Sequence, residues 1–190
     1  VEVDMSAAKK FRETVTEFKP TYNDFVLAAA VQALKAVPAV NAQWLGDAVH
    51  VADVINLGMA VALDEGLIVP VIRDAQEMTL RKLNEAAAKL AEKAKTHRLL
   101  PDDYAGSTFT VSNLGAFGVD QFTAIINSPD SAILAIGRME DRPVVREGQV
   151  VIRPMMKVTL SSDHRVIDGA LAARFVAAFK EALEAAAFAV

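Results

Sequence analysis

Residues 155–169 read MMKVTLSSDHRVIDG, and the change of character along this stretch sets the fold. Met156, Val158, Leu160 and Ser162 fall on every second position, so they share one face of a strand. The alternation ends in Ser161-Ser162-Asp163, and a turn holding His164 follows. Beyond Asp168-Gly169, Leu171, Phe175, Val176, Phe179 and Leu183 recur at helical spacing. A loop at a strand end exposes its side chains while a rigid scaffold holds them, which makes this junction a place to look for chemistry.

The surrounding segments supply the rest of the architecture. VVREGQVVI (144–152) predicts a hairpin around Glu147-Gly148, and SAILAIG (131–137) a buried strand. STFTVSNLGAFG (107–118) is a β-branched run that breaks into a glycine-rich loop. KPTYNDFVLAAAVQALKAVP (19–38) predicts a helix capped by Thr21, with Asp24 in its first turn and Pro38 closing it. From Trp44 to Ile72 the text is strand-like, with VINLGMAVAL and GLIVPVI joined by a three-residue hairpin loop, Asp64-Glu65-Gly66. Thr79 caps a further helix whose apolar face is Leu80, Leu83, Ala87, Leu90 and Ala94. Its basic end, Lys93, Lys95 and Arg98, suits the helix dipole. Helices alternating with hairpins predict an α/β or α+β class, a mixed sheet covered by helices in one domain.

Composition narrows the function. The chain has 190 residues, 53% apolar and 23% charged, with net charge −4. Charges are interspersed without a basic block, which argues against nucleic acid as a partner. Apolar runs are short, so no transmembrane helix is expected. The first residues, VEVDMSAAKK, lack the order of a signal peptide and begin without Met in strand-like alternation, so sequence upstream is expected to be missing. There is no cysteine, which excludes disulfides, thiol nucleophiles of the protein itself and zinc–thiolate sites.

Of three histidines, His50 lies in a strand-like stretch and His97 at a basic helix end; neither has carboxylates at ligand spacing, so both read as structural or surface residues and no metal site is expected. His164 is the natural base, because imidazole titrates near neutrality, at about 6.5 unperturbed. Asp168 either pairs with an arginine or caps the helix that follows. On these residues alone, catalysis and a satisfied structural pair both stay open. Ser112 and Asn113, at a strand end before Gly115 and Gly118, are either ordinary turn residues or donors to an oxyanion. The glycines lack the G-x-G start of a dinucleotide loop, and no G-x-S-x-G elbow supports a serine hydrolase.

Taken in order, VALDEGLIVPVI (61–72), GSTFTVSNLGAFG (106–118), AIINSPDSAILAIG (124–137) and KVTLSSDHRVIDG (157–169) resemble the catalytic core of the dihydrolipoamide acyltransferases of 2-oxo-acid dehydrogenase complexes. The resemblance runs from about Val1 to Leu183 and makes residues 1–190 one acyltransferase catalytic domain, without the family's lipoyl and subunit-binding domains. It implies the α/β fold of chloramphenicol acetyltransferase, a mixed sheet with covering helices in a two-layer sandwich that builds trimers. The implied reaction moves an acyl group between a dihydrolipoyl thiol and coenzyme A. His164 would be the general base, Ser112 the oxyanion donor, Asp168 a loop-organising residue, and Ser112 with Asn113 the candidate contacts to coenzyme A; no metal is implied. The site would lie between two subunits.

Ser-Asn-Leu-Gly after Phe-Thr-Val looks like the pyruvate-dehydrogenase type, which transfers acetyl. Further implications are a homotrimer in a cubic or icosahedral assembly, a lipoyl domain and dehydrogenase components as partners, and a bacterial cytoplasmic or mitochondrial matrix location. Departures are the unseen arginine partner of Asp168 and the ending EALEAAAFAV, where Phe188 and Val190 would have to serve as an apolar plug between trimers. The alternative is a catalytically impaired core or an engineered cage scaffold of the same fold. An antibiotic acetyltransferase or a condensation domain is a third reading, although condensation domains double the histidine and this chain has Asp163-His164.

Overall fold

A computed structural model describes residues 1–64 and 66–190. The chain forms strands β1 (Glu2–Asp4), β2 (Ala42–Trp44), β3 (Val49–Val51), β4 (Leu57–Met59), β5 (Val61–Leu63), β6 (Gly66–Ile68), β7 (Val71–Ile72), β8 (Phe109–Asn113), β9 (Ala132–Arg146) and β10 (Gln149–Ser162). Its helices are α1 (Ser6–Thr14), α2 (Tyr22–Ala36), α3 (Leu80–Lys95) and α4 (Gly169–Ala185). Six strands make one mixed sheet in the order β1-β10-β9-β8-β4-β7. β4, β8 and β9 run parallel, and the remaining pairings are antiparallel. Two small antiparallel pairs, β2–β3 and β5–β6, stand outside it.

α2 starts as its sequence demands. Thr21 accepts from the Asp24 N–H while the Asp24 carboxylate accepts from the Thr21 N–H, so two otherwise orphaned donors are satisfied reciprocally. Thr79 caps α3 and Asp168 caps α4 one way only, the side chains accepting from the N–H groups of Lys82 and Leu171. α2 and α4 pack on one face of the sheet. Phe175, Phe179 and Leu183 of α4 and Phe25, Leu27 and Leu34 of α2 are buried with Leu57, Phe109, Val111, Leu134 and Val158 of the sheet. The Phe109 and Phe175 rings lie 5.1 Å apart, tilted at 49°, within the spacing favoured for aromatic pairs.

The two-layer α/β expectation holds, and four details differ from the sequence reading. β9 and β10 are single strands of 15 and 14 residues, not several short ones. Their turn, Glu147-Gly148, has positive φ at both positions, which matches the right-handed twist of a hairpin. Gly66 is itself paired with Leu63 in the β5–β6 hairpin, so it belongs to a strand rather than the connection; Glu65 lies outside the described residues. α1 is not among the helices expected from the sequence, because SAAKKFRET is mostly polar and its apolar face is confined to Ala7, Ala8 and Phe11; Ala8 is its buried residue. Phe188 is buried in the chain's own core, 5.6 Å from Phe25 and 6.3 Å from Phe11, and is therefore not an exposed plug. Val190 is exposed.

Candidate active site

β8 carries Ser112 and Asn113 to the wall of a cleft of about 630 Å³. α2 supplies Tyr22 and Asn23 to the same cleft, and β4 supplies Met59. Asn113 is committed locally. Its Oδ1 accepts from the Gly115 N–H at 2.9 Å, and its Nδ2 donates to Asn23 Oδ1 at 3.2 Å. That contact fixes the loop after β8 to the start of α2, so geometry assigns Asn113 a stapling role. Ser112 is half-buried, and among the described residues its hydroxyl has no hydrogen-bond partner. It is the polar group this strand offers to the cleft.

His164 is exposed on the turn that follows β10, beside the start of β9. Ser112 is paired with Ala135 on β9, whereas the Asp163 N–H donates to the carbonyl of Ser131, four residues earlier on the same run. Four strand residues span about 13 Å and two strand spacings add about 10 Å at right angles to it, so the two candidate residues stand about 16 Å apart in one chain. The structure therefore does not bring His164 and Ser112 together within a chain.

The turn around His164 is tightly tied. The Asp163 carbonyl accepts from the N–H groups of Val166 (3.0 Å) and Ile167 (2.9 Å). Arg165 donates to the Asp163 carboxylate through Nε at 3.0 and 3.1 Å and through Nη2 at 2.6 Å. The hydrogen bonds from the Arg165 side chain and N–H hold the Asp163 carboxyl down at about 2, well below the usual range. The Arg165 guanidinium also lies 5.1 Å from the centroid of the Trp44 ring on β2. Asp168 accepts from the Leu171 N–H at 2.7 Å and makes no ion pair among the described residues. Of the two roles the sequence left open, capping is the one it fills; it does not touch His164.

Beneath this turn lies a buried carboxylate that the sequence reading passed over. Asp130 is 4% exposed and accepts from Ser107 Oγ at 3.0 Å and Thr110 Oγ1 at 2.6 Å. Burial pushes its carboxyl above the usual range, against the opposing effect of hydrogen bonds from Thr110, Ser107 and Gln43. The signal was present, because Ser-Pro-Asp-Ser-Ala precedes a strand whose first six residues are buried, and an aspartate there must find donors. His50 is exposed on β3, and His97 sits at positive φ in the exposed turn after α3, as surface residues do. Among the described residues no group of His, Asp and Glu is arranged to hold a metal.

Residues 1–190 match the family of 2-oxoacid dehydrogenases acyltransferase (catalytic domain). A mitochondrial dihydrolipoyllysine-residue acetyltransferase component of the pyruvate dehydrogenase complex from Schizosaccharomyces pombe is 47% identical over 170 residues, which is 88% of this chain and 35% of the relative. The chain thus spans about 35–41% of the length of the first curated relatives it matches. The dihydrolipoamide acetyltransferase of Azotobacter vinelandii superposes with a TM-score of 0.92 at 34% identity, covering 97% of this chain and 79% of that one. Its structure was determined to probe the role of a serine, a histidine and an asparagine in the catalytic mechanism. The cubic core of a pyruvate dehydrogenase multienzyme complex superposes with a TM-score of 0.92 at 35% identity, covering 97% and 79%. Chloramphenicol acetyltransferase, with a TM-score of 0.57 at 18% identity over 96% and 86%, shares the fold. With the whole of its length matched, this chain belongs to the family of 2-oxoacid dehydrogenase acyltransferase catalytic domains.

Proposed function

We propose that this chain is an acetyltransferase core that moves acetyl between a dihydrolipoyl thiol and coenzyme A, in sites completed between copies of the chain. One observation carries the reading. His164 is exposed and Ser112 opens into the cleft, yet about 16 Å separates them in one chain. A base and an oxyanion donor must both come within about 3 Å of reacting atoms. A second copy that lays its cleft against the His164 turn satisfies both. The chain also offers an uncovered surface. From Asp120 to Ile126 no backbone N–H donates within the chain among the described residues, and Ile125 is 93% exposed. Unpaired backbone beside an exposed aliphatic residue is what a neighbouring copy covers. Likeness to a cubic core favours a closed assembly built from trimers.

The serine, histidine and asparagine studied in the Azotobacter relative stand at the same two intervals along that chain as Ser112, His164 and Asp168 do here. Asp168 holds the asparagine's place, and both residue types cap helices well. The chemistry follows from the groups. A thiol of pKa about 8.5 is mostly protonated at neutral pH, and thiolate is the nucleophile. His164 takes the proton from the coenzyme A sulfur, and that sulfur attacks the carbonyl carbon of the acetyl thioester. The carbonyl oxygen becomes an oxyanion, to which the Ser112 hydroxyl donates. Collapse breaks the old carbon–sulfur bond, and the departing dihydrolipoyl sulfur takes the proton back from the imidazolium. Coenzyme A and the lipoyl group enter as substrates, the latter carried by a separate lipoyl domain.

The test is acetyl transfer from acetyl-coenzyme A to free dihydrolipoamide, compared with His164→Ala. Loss of at least 100-fold supports the reading, since general-base help contributes about 10²- to 10⁴-fold. Equal rates in both proteins would instead mark a scaffold that keeps the fold without the reaction.

A further inference from the structure

Resting on the assignment of His164 as the base, we infer that Asp163, Arg165 and Trp44 form a clamp that sets both the placement and the basicity of the His164 imidazole. His164 lies between two residues of opposite charge. Arg165 does not extend into solvent: its guanidinium folds back across the turn onto both oxygens of Asp163 and rests over the Trp44 ring. Asp163 is anchored in turn to the start of β9 through Ser131 and to its own turn through Val166 and Ile167. The residues on either side of His164 are therefore fixed at once to the central sheet and to the β2–β3 hairpin.

A turn alone would need only its backbone bonds. The side-chain pair adds one anion and one cation at the positions flanking His164 and holds them against each other, so that in the inferred clamp their fields at the ring largely cancel. The low pKa of Asp163 keeps that balance through the whole working range of pH. On the elements around the turn, the titratable groups nearest to it along the chain or in register are Asp168 at the cap of α4 and Arg174 within that helix, Asp130 ahead of β9, Lys157 on β10, and Asp47 and His50 on the β2–β3 hairpin; Lys180, Glu181 and Glu184 lie further along α4. They are the same in every protein compared below.

Opposite substitutions should therefore move the base in opposite directions. Arg165→Met leaves the Asp163 anion uncompensated, favours imidazolium, and shifts the acid limb of kcat/KM upward by about half a pH unit. Asp163→Asn leaves the guanidinium, and shifts the limb downward by about the same amount. The double variant returns it close to the unsubstituted position. The Arg165 side chain is 62% and the Asp163 side chain 21% exposed, and neither belongs to the apolar core; thermal melting checks that each variant is folded. The experiment is the pH profile of acetyl transfer to dihydrolipoamide by the assembled protein, with His164→Ala alongside. A fall in rate of similar size in both single variants, with the limb unmoved, overturns the clamp and leaves a merely structural turn. An acid limb that persists unchanged in His164→Ala overturns the base assignment itself, a distinct result.

Discussion

Ser112 and His164 are offset by two strands and about four residues along one sheet, the serine opening into the cleft beside α2 and the histidine exposed on the turn that follows β10. Neither residue touches the other in a single chain, and neither has a side-chain partner among the described residues. Two unpartnered groups of complementary chemistry on separate surfaces describe half-sites.

Ser112→Ala should lower kcat for acetyl transfer by about 10²- to 10³-fold, because in the proposed mechanism the hydroxyl donates to charge that exists only in the transition state. KM should change little, since ground-state binding does not use that bond. Steady-state kinetics with varied coenzyme A and acyl donor check this; a large rise in KM at unchanged kcat would contradict it.

Asp130 predicts a particular pH dependence of stability. Its carboxyl titrates higher in the folded chain than its ordinary 3.8 because burial penalises the anion. Between these values the unfolded chain has released its proton and the folded chain has not. The contribution of Asp130 is thus fully present below about 3.8 and is lost as pH rises through the higher folded value. Denaturant unfolding of the unsubstituted chain and of Asp130→Asn at several pH values should give a stability difference that moves against the unsubstituted chain as pH rises, then levels off. A difference that moves the other way contradicts the assignment.

Gly137 predicts a steric failure. It sits where β9 carries an extra residue against β10, between the pairs Ile136↔Val158 and Met139↔Met156. A Cβ there would fall inside van der Waals contact of the Asp120 carbonyl oxygen, which is backbone and cannot rotate aside. Gly137→Ala should therefore destabilise by about 3 kcal/mol or fail to accumulate as folded protein, since overpacking of this kind commonly costs about 1–3 kcal/mol and occasionally more. Thermal melting reads the outcome, and an unchanged Tm would contradict the geometry.

What was legible in the sequence follows from which forces are local. Capping by Thr21 and Thr79 and the apolar stripes of α3 and α4 depend on residues three or four apart, so they could be read directly. Strand lengths could not: the union of SAILAIG and VVR into one strand depends on pairing with β10, a partner up to thirty residues away. The split of VINLGMAVAL into β4 and β5 is equally non-local, for Ala60 donates to Val111 on β8. His164, Asp168 and Ser112 could be singled out by type and position. The donors to Asp130 and the Trp44–Arg165 contact could not be read, because nothing in the chain near either residue reveals what it packs against. The commitment of Asn113 to Asn23 depends likewise on a partner on α2.

The central claim is that a working site joins His164 of one copy to Ser112 of another. It is tested most directly by mixing two disabled proteins, His164→Ala and Ser112→Ala, unfolded together and reassembled at equal proportions. If sites form between copies, about one site in four in the mixed assemblies unites an intact histidine with an intact serine, and acetyl transfer should return to roughly that fraction of the unsubstituted rate. If each chain builds its own site, no mixture contains an intact one, and activity should stay at the level of the two variants alone.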